Sequence, residues 1–240
     1  MNITHNFYIG FKDIDKNLQA KNTKILTFFE NMAGIHANLC GDGLRDTYER
    51  THTTWLLLAW KVDVIRRPEY AEEVIAKTWV RSIRRFYSER EFELLSESGE
   101  VLVKAISKWV QVNVEKGEPC SCSDELSEKY GRGEYSNFER GINVKLKEPS
   151  SADSVYFHKV QSDWIDMNYH MNNTHYLTLA HMAIGKEIPQ PDHFEILYKK
   201  EVKNGETLKC LVKETDEEYI VTIKSEDGEL LHAIVRLLKQ

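Results

Sequence analysis

Hydrophobic positions along the chain follow two rhythms. Beyond Asn22, the residues Ile25, Phe28, Phe29, Met32 and Ile35 recur at helical spacing, and Asn22 or Thr23 is placed to cap that helix. Gly34 falls inside or near its end, and Gly41 and Gly43 mark the exit. Apolar-rich runs at 54–66, 72–81, 85–96 and 101–114 then read as strands. The second half repeats the scheme. Tyr176, Leu177, Leu179, Ala180, Met182, Ala183 and Ile184 cover most of the circumference of a second helix, which suits an element buried on nearly all sides. Asn172, Asn173 or Thr174 caps it, Pro189 and Pro191 stop it, and strands follow at 194–203, 206–215, 218–225 and 229–238. A short strand precedes each helix, at 3–11 and at 154–161.

The similarity extends to residue identity. At an offset of 151, residues 14–34 align without gaps to 165–185, and eight of 21 positions are identical, among them Ile14/Ile165, Asp15/Asp166, Asn17/Asn168 and Gly34/Gly185. Unrelated segments would share about one. The heptapeptide SESGEVL at 96–102 returns as SEDGELL at 225–231, and both tetrads read as hairpin turns. Between these anchors the first copy carries about 22 more residues, expected at 40–52 and in a longer turn around Pro68. The chain is therefore a tandem duplication: 1–114, then a polar linker at 115–150, then 151–240. One helix and about five antiparallel strands per copy predict an α+β unit, a curved sheet around a central helix.

Composition narrows the function classes. The 240 residues are 41% hydrophobic, and no stretch approaches the apolar length of a membrane span. A formal charge of −6 argues against nucleic acid and anionic membrane as partners. Four cysteines and no secretory pattern at the start predict reduced thiols in a cytoplasmic protein. Cys120-Ser-Cys122 lacks a second ligand pair at zinc spacing, and no HExxH, P-loop, dinucleotide fingerprint or G-x-S-x-G elbow is present. No metal or cofactor is expected.

The two copies differ at one position that titrates near neutral pH. Before its helix the second copy reads Asp166-Met-Asn168-Tyr-His170, where the first reads Asp15-Lys-Asn17-Leu-Gln19. The shared Asp and Asn suit turn and capping chemistry. Only His170 exchanges a proton near neutral pH, so proton transfer is expected in the second copy.

The segment 162–176, SDWIDMNYHMNNTHY, together with Tyr198-Lys199-Lys200-Glu201-Val202, resembles the signature of acyl-acyl carrier protein thioesterases of plant plastids and bacteria. The first half adds Trp55, Arg66-Arg67-Pro68 and Thr78-Trp79, which are similar to that family's fingerprint. The resemblance covers essentially the whole chain. It implies a tandem double hotdog fold, hydrolysis of fatty acyl-acyl carrier protein, and a catalytic network of Asp166, Asn168, His170 and Glu201. The position of the cysteine once assigned as nucleophile in that family holds Val202, so water is the expected nucleophile.

On this reading Glu201 and His170 deprotonate water, and Asn168 with the backbone N–H groups at 172–174 holds the carbonyl oxygen. Asp166 orients Asn168 or His170, direct attack by its carboxylate remaining open. Trp55, Trp60, Trp79, Phe28, Phe29 and Met32 are candidate walls of an acyl tunnel, although each equally suits ordinary core. Arg81, Arg84, Arg85 and Arg90, with Lys199 and Lys200, form candidate basic docking patches for an acidic acyl carrier protein bearing a fatty acyl phosphopantetheine. An acyl-CoA thioesterase, or a non-hydrolytic dehydratase or acyl-binding hotdog protein, are the alternatives. A homodimer stays open.

Overall fold

A computed structural model describes the backbone of residues 1–240 and every side chain except that of Tyr48. The chain divides into two compact units, Met1–Leu58 with Val62–Ile142, and Ala59–Lys61 with Asn143–Gln240. The first unit runs β1 (Asn2–Tyr8), α1 (Asn22–Leu39), α2 (Leu44–Asp46), β2 (Thr53–Val64), β3 (Glu73–Ile83), β4 (Tyr87–Ser96), β5 (Val101–Asn113) and α3 (Asp124–Tyr130). The second runs β6 (Ser154–Lys159), α4 (Asn173–Ile184), β7 (His193–Tyr198), β8 (Thr207–Glu214), β9 (Glu218–Ser225) and β10 (Leu231–Leu238). Among the described residues no helix is long and apolar enough to cross a membrane.

Strand order is β1-β3-β4-β5-β2 in the first unit and β6-β8-β9-β10-β7 in the second. Each strand of one unit thus has its counterpart five strands later, which is the duplication expressed as topology. The hairpin turns match as well: Ser96 and Ser225 accept from Gly99 and Gly228, whose φ values are +85° and +83°. Only glycine adopts that conformation without strain. Inward positions alternate along the strands and meet the helices. Phe29 of α1 lies 5.0 Å from Phe92 of β4, and Phe28 lies 4.5 Å from Phe7 of β1, ring centre to ring centre. In the second unit α4 packs on β6, β8, β9 and β10 through Tyr176, Leu177, Leu179, Ala180 and Ala183.

Several expectations shift. The extra length of the first copy lies in α1, in 40–52 and in longer strands. It does not lie at Pro68, because the turns at 65–72 and 199–206 are equally long. Neither Asn22 nor Thr23 caps α1: the cap is Lys21, without a side-chain bond, because the Asn22 carboxamide is committed elsewhere. In the second copy Asn172 caps α4, accepting from Thr174 N at 3.0 Å. Strand β7 ends at Tyr198 rather than 203.

Of the polar segment 115–150, residues up to Ile142 lie in the first unit. They include α3, which the strand and linker patterns concealed. Ser123 caps α3 by accepting from Leu126 N at 3.1 Å, and Leu126 and Tyr130 bury one face. Further on, Tyr135 donates to Glu93 and Asn137 N donates to Glu91.

The two aligned glycines are used differently. Gly185 closes α4 at φ +69°, whereas Gly34 sits within α1 and a Cβ there would meet nothing within 4 Å. Gly34→Ala is expected to stabilise the chain by about 1 kcal/mol, because alanine loses less backbone freedom in a helix. A thermal melt should show a midpoint about 2–4 °C higher.

Candidate active site

The site starts from a turn built twice. In the second copy Asp166 Oδ1 accepts from Asn168 N at 2.8 Å and His170 N at 3.4 Å, while Asp166 N donates to the His170 carbonyl at 2.8 Å. In the first, Asp15 Oδ1 accepts from Asn17 N at 2.9 Å and Gln19 N at 3.1 Å, and Asp15 N donates to the Gln19 carbonyl at 2.8 Å. Both turns hold a bulky residue in the left-handed region, Tyr169 at φ 63° and Leu18 at φ 62°. That conformation costs about 1–2 kcal/mol and persists only where other bonds impose it. The Asp carboxylates impose it here.

The turn is then tied to the segment after the second strand of each unit. Met171 N donates to the Val202 carbonyl at 2.8 Å, and Ala20 N donates to the Pro68 carbonyl at 2.8 Å. A bulge residue of the fifth strand holds the same segment from the other side. The His232 carbonyl accepts from Lys199 N at 2.8 Å and Lys200 N at 3.4 Å, as the Leu102 carbonyl does from Ile65 N at 2.8 Å and Arg66 N at 3.1 Å. These bonds end β7 at Tyr198 and leave Glu201 exposed on a turn rather than on a strand face.

The matched bonds pair residues that no ungapped alignment reaches: Glu201 with Arg67, Val202 with Pro68, and His232 with Leu102. Where the second copy shows the exposed Glu201, the first buries Arg67, whose Nη1 donates to the Ala20 carbonyl at 3.0 Å and to Asn22 Oδ1 at 2.6 Å. At this matched position the first copy thus turns its side chain inward. In the second, His170 and Glu201 flank the Met171–Val202 bond, and Asn168 and His170 are half-buried. No side-chain hydrogen bond joins Asn168, His170 or Glu201 to the described protein. Their juxtaposition is therefore set by backbone. The His232 imidazole adds an Nδ1 contact of 3.2 Å to the Lys200 carbonyl, a support that sequence reading passed over.

Tyr176 lies beneath this region, 3% exposed and edge-on to Tyr198 at 5.2 Å. Burial raises its phenol well above the usual range, and the charges of Glu201, Glu206 and Asp166 raise it further. Glu201 and Asp166 therefore share one electrostatic neighbourhood. Of the three amides at 172–174, Asn172 N donates to the Trp164 carbonyl and Thr174 N to its cap, which removes both as carbonyl donors. An aromatic stack holds the entry: Trp164 lies 4.5 Å from His158 on one side and 4.5 Å from His175 on the other. The aligned positions in the first copy, Asp13 and Lys24, form an ion pair at 3.1 Å.

The remaining candidates scatter. Phe28, Phe29, Met32, Trp60 and Trp79 are at most 2% exposed and belong to the core, whereas Trp55 lines a cavity in the first unit. Arg90 is buried, so it is no docking residue, and Arg81 pairs with Glu91 at 2.7 Å and with the Phe138 carbonyl. Arg84 and Arg85 are exposed in the β3–β4 turn, as are Lys199 and Lys200 in the second unit. Burial raises the Cys122 thiol to about 11 and the Cys210 thiol to about 12, so neither is a ready nucleophile. Among the described residues no three His, Cys, Asp or Glu side chains are arranged to hold a metal ion.

Asp15 isolates the structural half of the turn, since Gln19 stands where the second copy has histidine. Asp15→Ala leaves two amides without their acceptor and is expected to cost about 1–3 kcal/mol in urea unfolding.

Comparisons with known proteins bear on the family and the fold. The model of the acyl-ACP thioesterase N-terminal domain matches residues 1–130, and that of the acyl-ACP thioesterase C-terminal domain matches residues 147–235. The chain is similar to the chloroplastic oleoyl-acyl carrier protein thioesterase of Coriandrum sativum, with 24% identity over 236 residues, 90% of this chain and 64% of the relative. It is also similar to oleoyl-acyl carrier protein thioesterase 1 of Arabidopsis thaliana, with 24% identity over 230 residues, 88% of this chain and 63% of the relative. It thus spans just under two thirds of their length. An acyl-ACP thioesterase from Bacteroides thetaiotaomicron superposes with a TM-score of 0.85 at 21% identity, over 99% of this chain and 97% of that one. The 12:0-ACP thioesterase from Umbellularia californica superposes with a TM-score of 0.84 at 17% identity, over 99% and 96%. The fold is the tandem double hotdog, an α+β architecture. With each half matched by its own domain model, the chain belongs to the acyl-ACP thioesterase family.

Proposed function

We propose that this protein hydrolyses the thioester of fatty acyl-acyl carrier protein and releases free fatty acid, with the chemistry in the second unit. The observation that carries the reading is the one-sided replacement of Gln19 and Arg67 by His170 and Glu201 at matched positions of two otherwise equivalent turns. Family membership and the names of the relatives support the substrate class. The same inference assigns the first unit to the non-catalytic, substrate side.

In the proposed mechanism Glu201 and His170 position a water molecule and remove its proton as its oxygen attacks the thioester carbon. Asn168 donates to the developing oxyanion. The tetrahedral intermediate collapses, the carbon–sulfur bond breaks, and His170 returns the proton to the departing phosphopantetheine thiol. Asp166 acts through the main chain: its carboxylate holds the amides of Asn168 and His170 and so fixes where both side chains start. This favours Asp166 as a positioning group over direct attack. His170→Gln, which recreates the first copy's residue, and Glu201→Gln are each expected to lower kcat about 10²–10⁴-fold with little change in melting temperature. Near wild-type hydrolysis by both variants would remove the assignment.

The acyl carrier protein is acidic, so its docking site on a chain of net charge −6 must be locally basic. Arg84 and Arg85 fit this, standing exposed on one turn with the Arg85 guanidinium 5.0 Å from the Phe86 ring. Four free cysteines favour a reducing compartment such as the cytoplasm. Charge reversal at Arg84 and Arg85 is expected to raise KM for carrier-bound substrate and leave KM for acyl-CoA unchanged. Equal effects on both substrates would point to a general acyl-thioester hydrolase and remove the docking surface.

A further inference from the structure

Three further matched positions differ between the copies. The ungapped register pairs Tyr176 with Ile25, and the matched backbone bonds pair Tyr198 with Val64 and His232 with Leu102. All six residues are buried. Where the first unit places three aliphatic side chains, the second therefore places three polar rings. A polar atom in such a place needs a partner, since an unanswered donor loses its water and gains nothing. Two of the rings have one. Tyr198 OH donates to the Asn173 carbonyl at 3.1 Å, and His232 Nδ1 faces the Lys200 carbonyl at 3.2 Å.

Tyr176 is the exception. Its hydroxyl makes no hydrogen bond among the described residues, and it is not one of the unpaired polar atoms closed off from solvent. Helical side chains lean toward the helix N-terminus, which carries this ring from the first turn of α4 back toward Asn172 and Asn173. The edge-on contact with Tyr198, whose own hydroxyl reaches the Asn173 carbonyl, fits that direction. Burial first, and then the charges of Glu201, Glu206 and Asp166, keep the phenol protonated. The ring thus stands in the field of the proposed base and of the aspartate that sets the turn. A lysine or arginine at this place would pair with those carboxylates. A protonated phenol keeps its single donor for another acceptor.

We infer that Tyr176 is a further catalytic residue, its hydroxyl donating to the thioester carbonyl oxygen together with Asn168. The inference rests on the thioesterase reading. As the water oxygen bonds to the carbonyl carbon, the π pair moves onto the carbonyl oxygen, where two neutral donors meet the new charge. When the intermediate collapses, that pair re-forms the carbonyl and the carbon–sulfur bond breaks. Sulfur leaves with the bonding pair and takes the proton that His170 returns. Tyr176 keeps its own proton throughout. Of the three amides at 172–174, those of Asn172 and Thr174 are already bonded, so side-chain donors carry much of this charge. Ile25 offers no donor at the matched position of the first copy.

The full chain should be assayed with dodecanoyl- and oleoyl-acyl carrier protein, well below its melting midpoint. Tyr176→Phe removes only an unbonded hydroxyl, and it is expected to lower kcat about 10²-fold, the usual effect of deleting one oxyanion donor. KM and the melting midpoint should stay at their wild-type values. Replacing Tyr176 with 3-fluorotyrosine, a stronger acid of nearly the same shape, should keep kcat at the wild-type level or above it. Wild-type kcat in Tyr176→Phe, a loss carried by KM alone, or a 3-fluorotyrosine protein as slow as Tyr176→Phe would overturn the inference. His170→Gln belongs in the same series. Loss of kcat there beside wild-type kcat in Tyr176→Phe removes Tyr176 and leaves the hydrolytic assignment standing. No release of fatty acid by the wild-type chain removes that assignment, and the inference with it.

Discussion

An aspartate carboxylate that accepts from the amides two and four residues ahead is the constraint on which the second unit's site depends. It forces Tyr169 into a left-handed conformation, closes the Asp166–His170 ring of backbone bonds and delivers the chain to Asn172 at the angle α4 requires. From that fixed exit, Met171 meets Val202, and the turn carrying Glu201 is held between it and the His232 bulge. Remove the carboxylate, and the positions of His170 and Glu201 lose their common reference. His170 and Glu201 are thus placed by main-chain bonds formed near the ends of three elements.

The first unit runs the same scaffold to a different end. Its Asp15 turn, its Ala20–Pro68 bond and its Leu102 bulge repeat the geometry, yet Arg67 folds inward onto Ala20 and Asn22. The Arg67 guanidinium is buried and bonded at the position where the second unit leaves Glu201 exposed. Each copy has then invested its spare polarity elsewhere: the second in an imidazole and an exposed carboxylate, the first in the cluster of His36, Asp42, Arg90 and Tyr130.

Most of the architecture was legible because the duplication let two weak patterns support one another. Every predicted strand exists, and the SESG and SEDG turns fall where the glycines required them. The difference between Gln19 and His170 was also visible, since an ungapped alignment reaches it. Arg67 opposite Glu201 was not, because gaps intervene and only the hydrogen bonds to Ala20 and Met171 reveal the register. Arg90 misled for a related reason. Four arginines within ten residues read as a charged surface, but alternation on β4 sends Arg90 inward while Arg84 and Arg85 stay on the turn. Helix α3 was hidden in a polar stretch whose Ser123-Asp-Glu-Leu126 cap was the one available signal.

The aligned glycines Gly34 and Gly185 show how a small divergence creates room. In the second copy the glycine turns left-handed and the helix stops; in the first it stays helical and α1 continues to Leu39. That overrun supplies Ala37 and Asn38 and carries the chain on to Asp42 and Leu44. A hollow inside a domain is usually credited to small side chains. Here it is also a matter of length: one copy ends its helix on the glycine, and the other spends its further turn on the wall of a chamber.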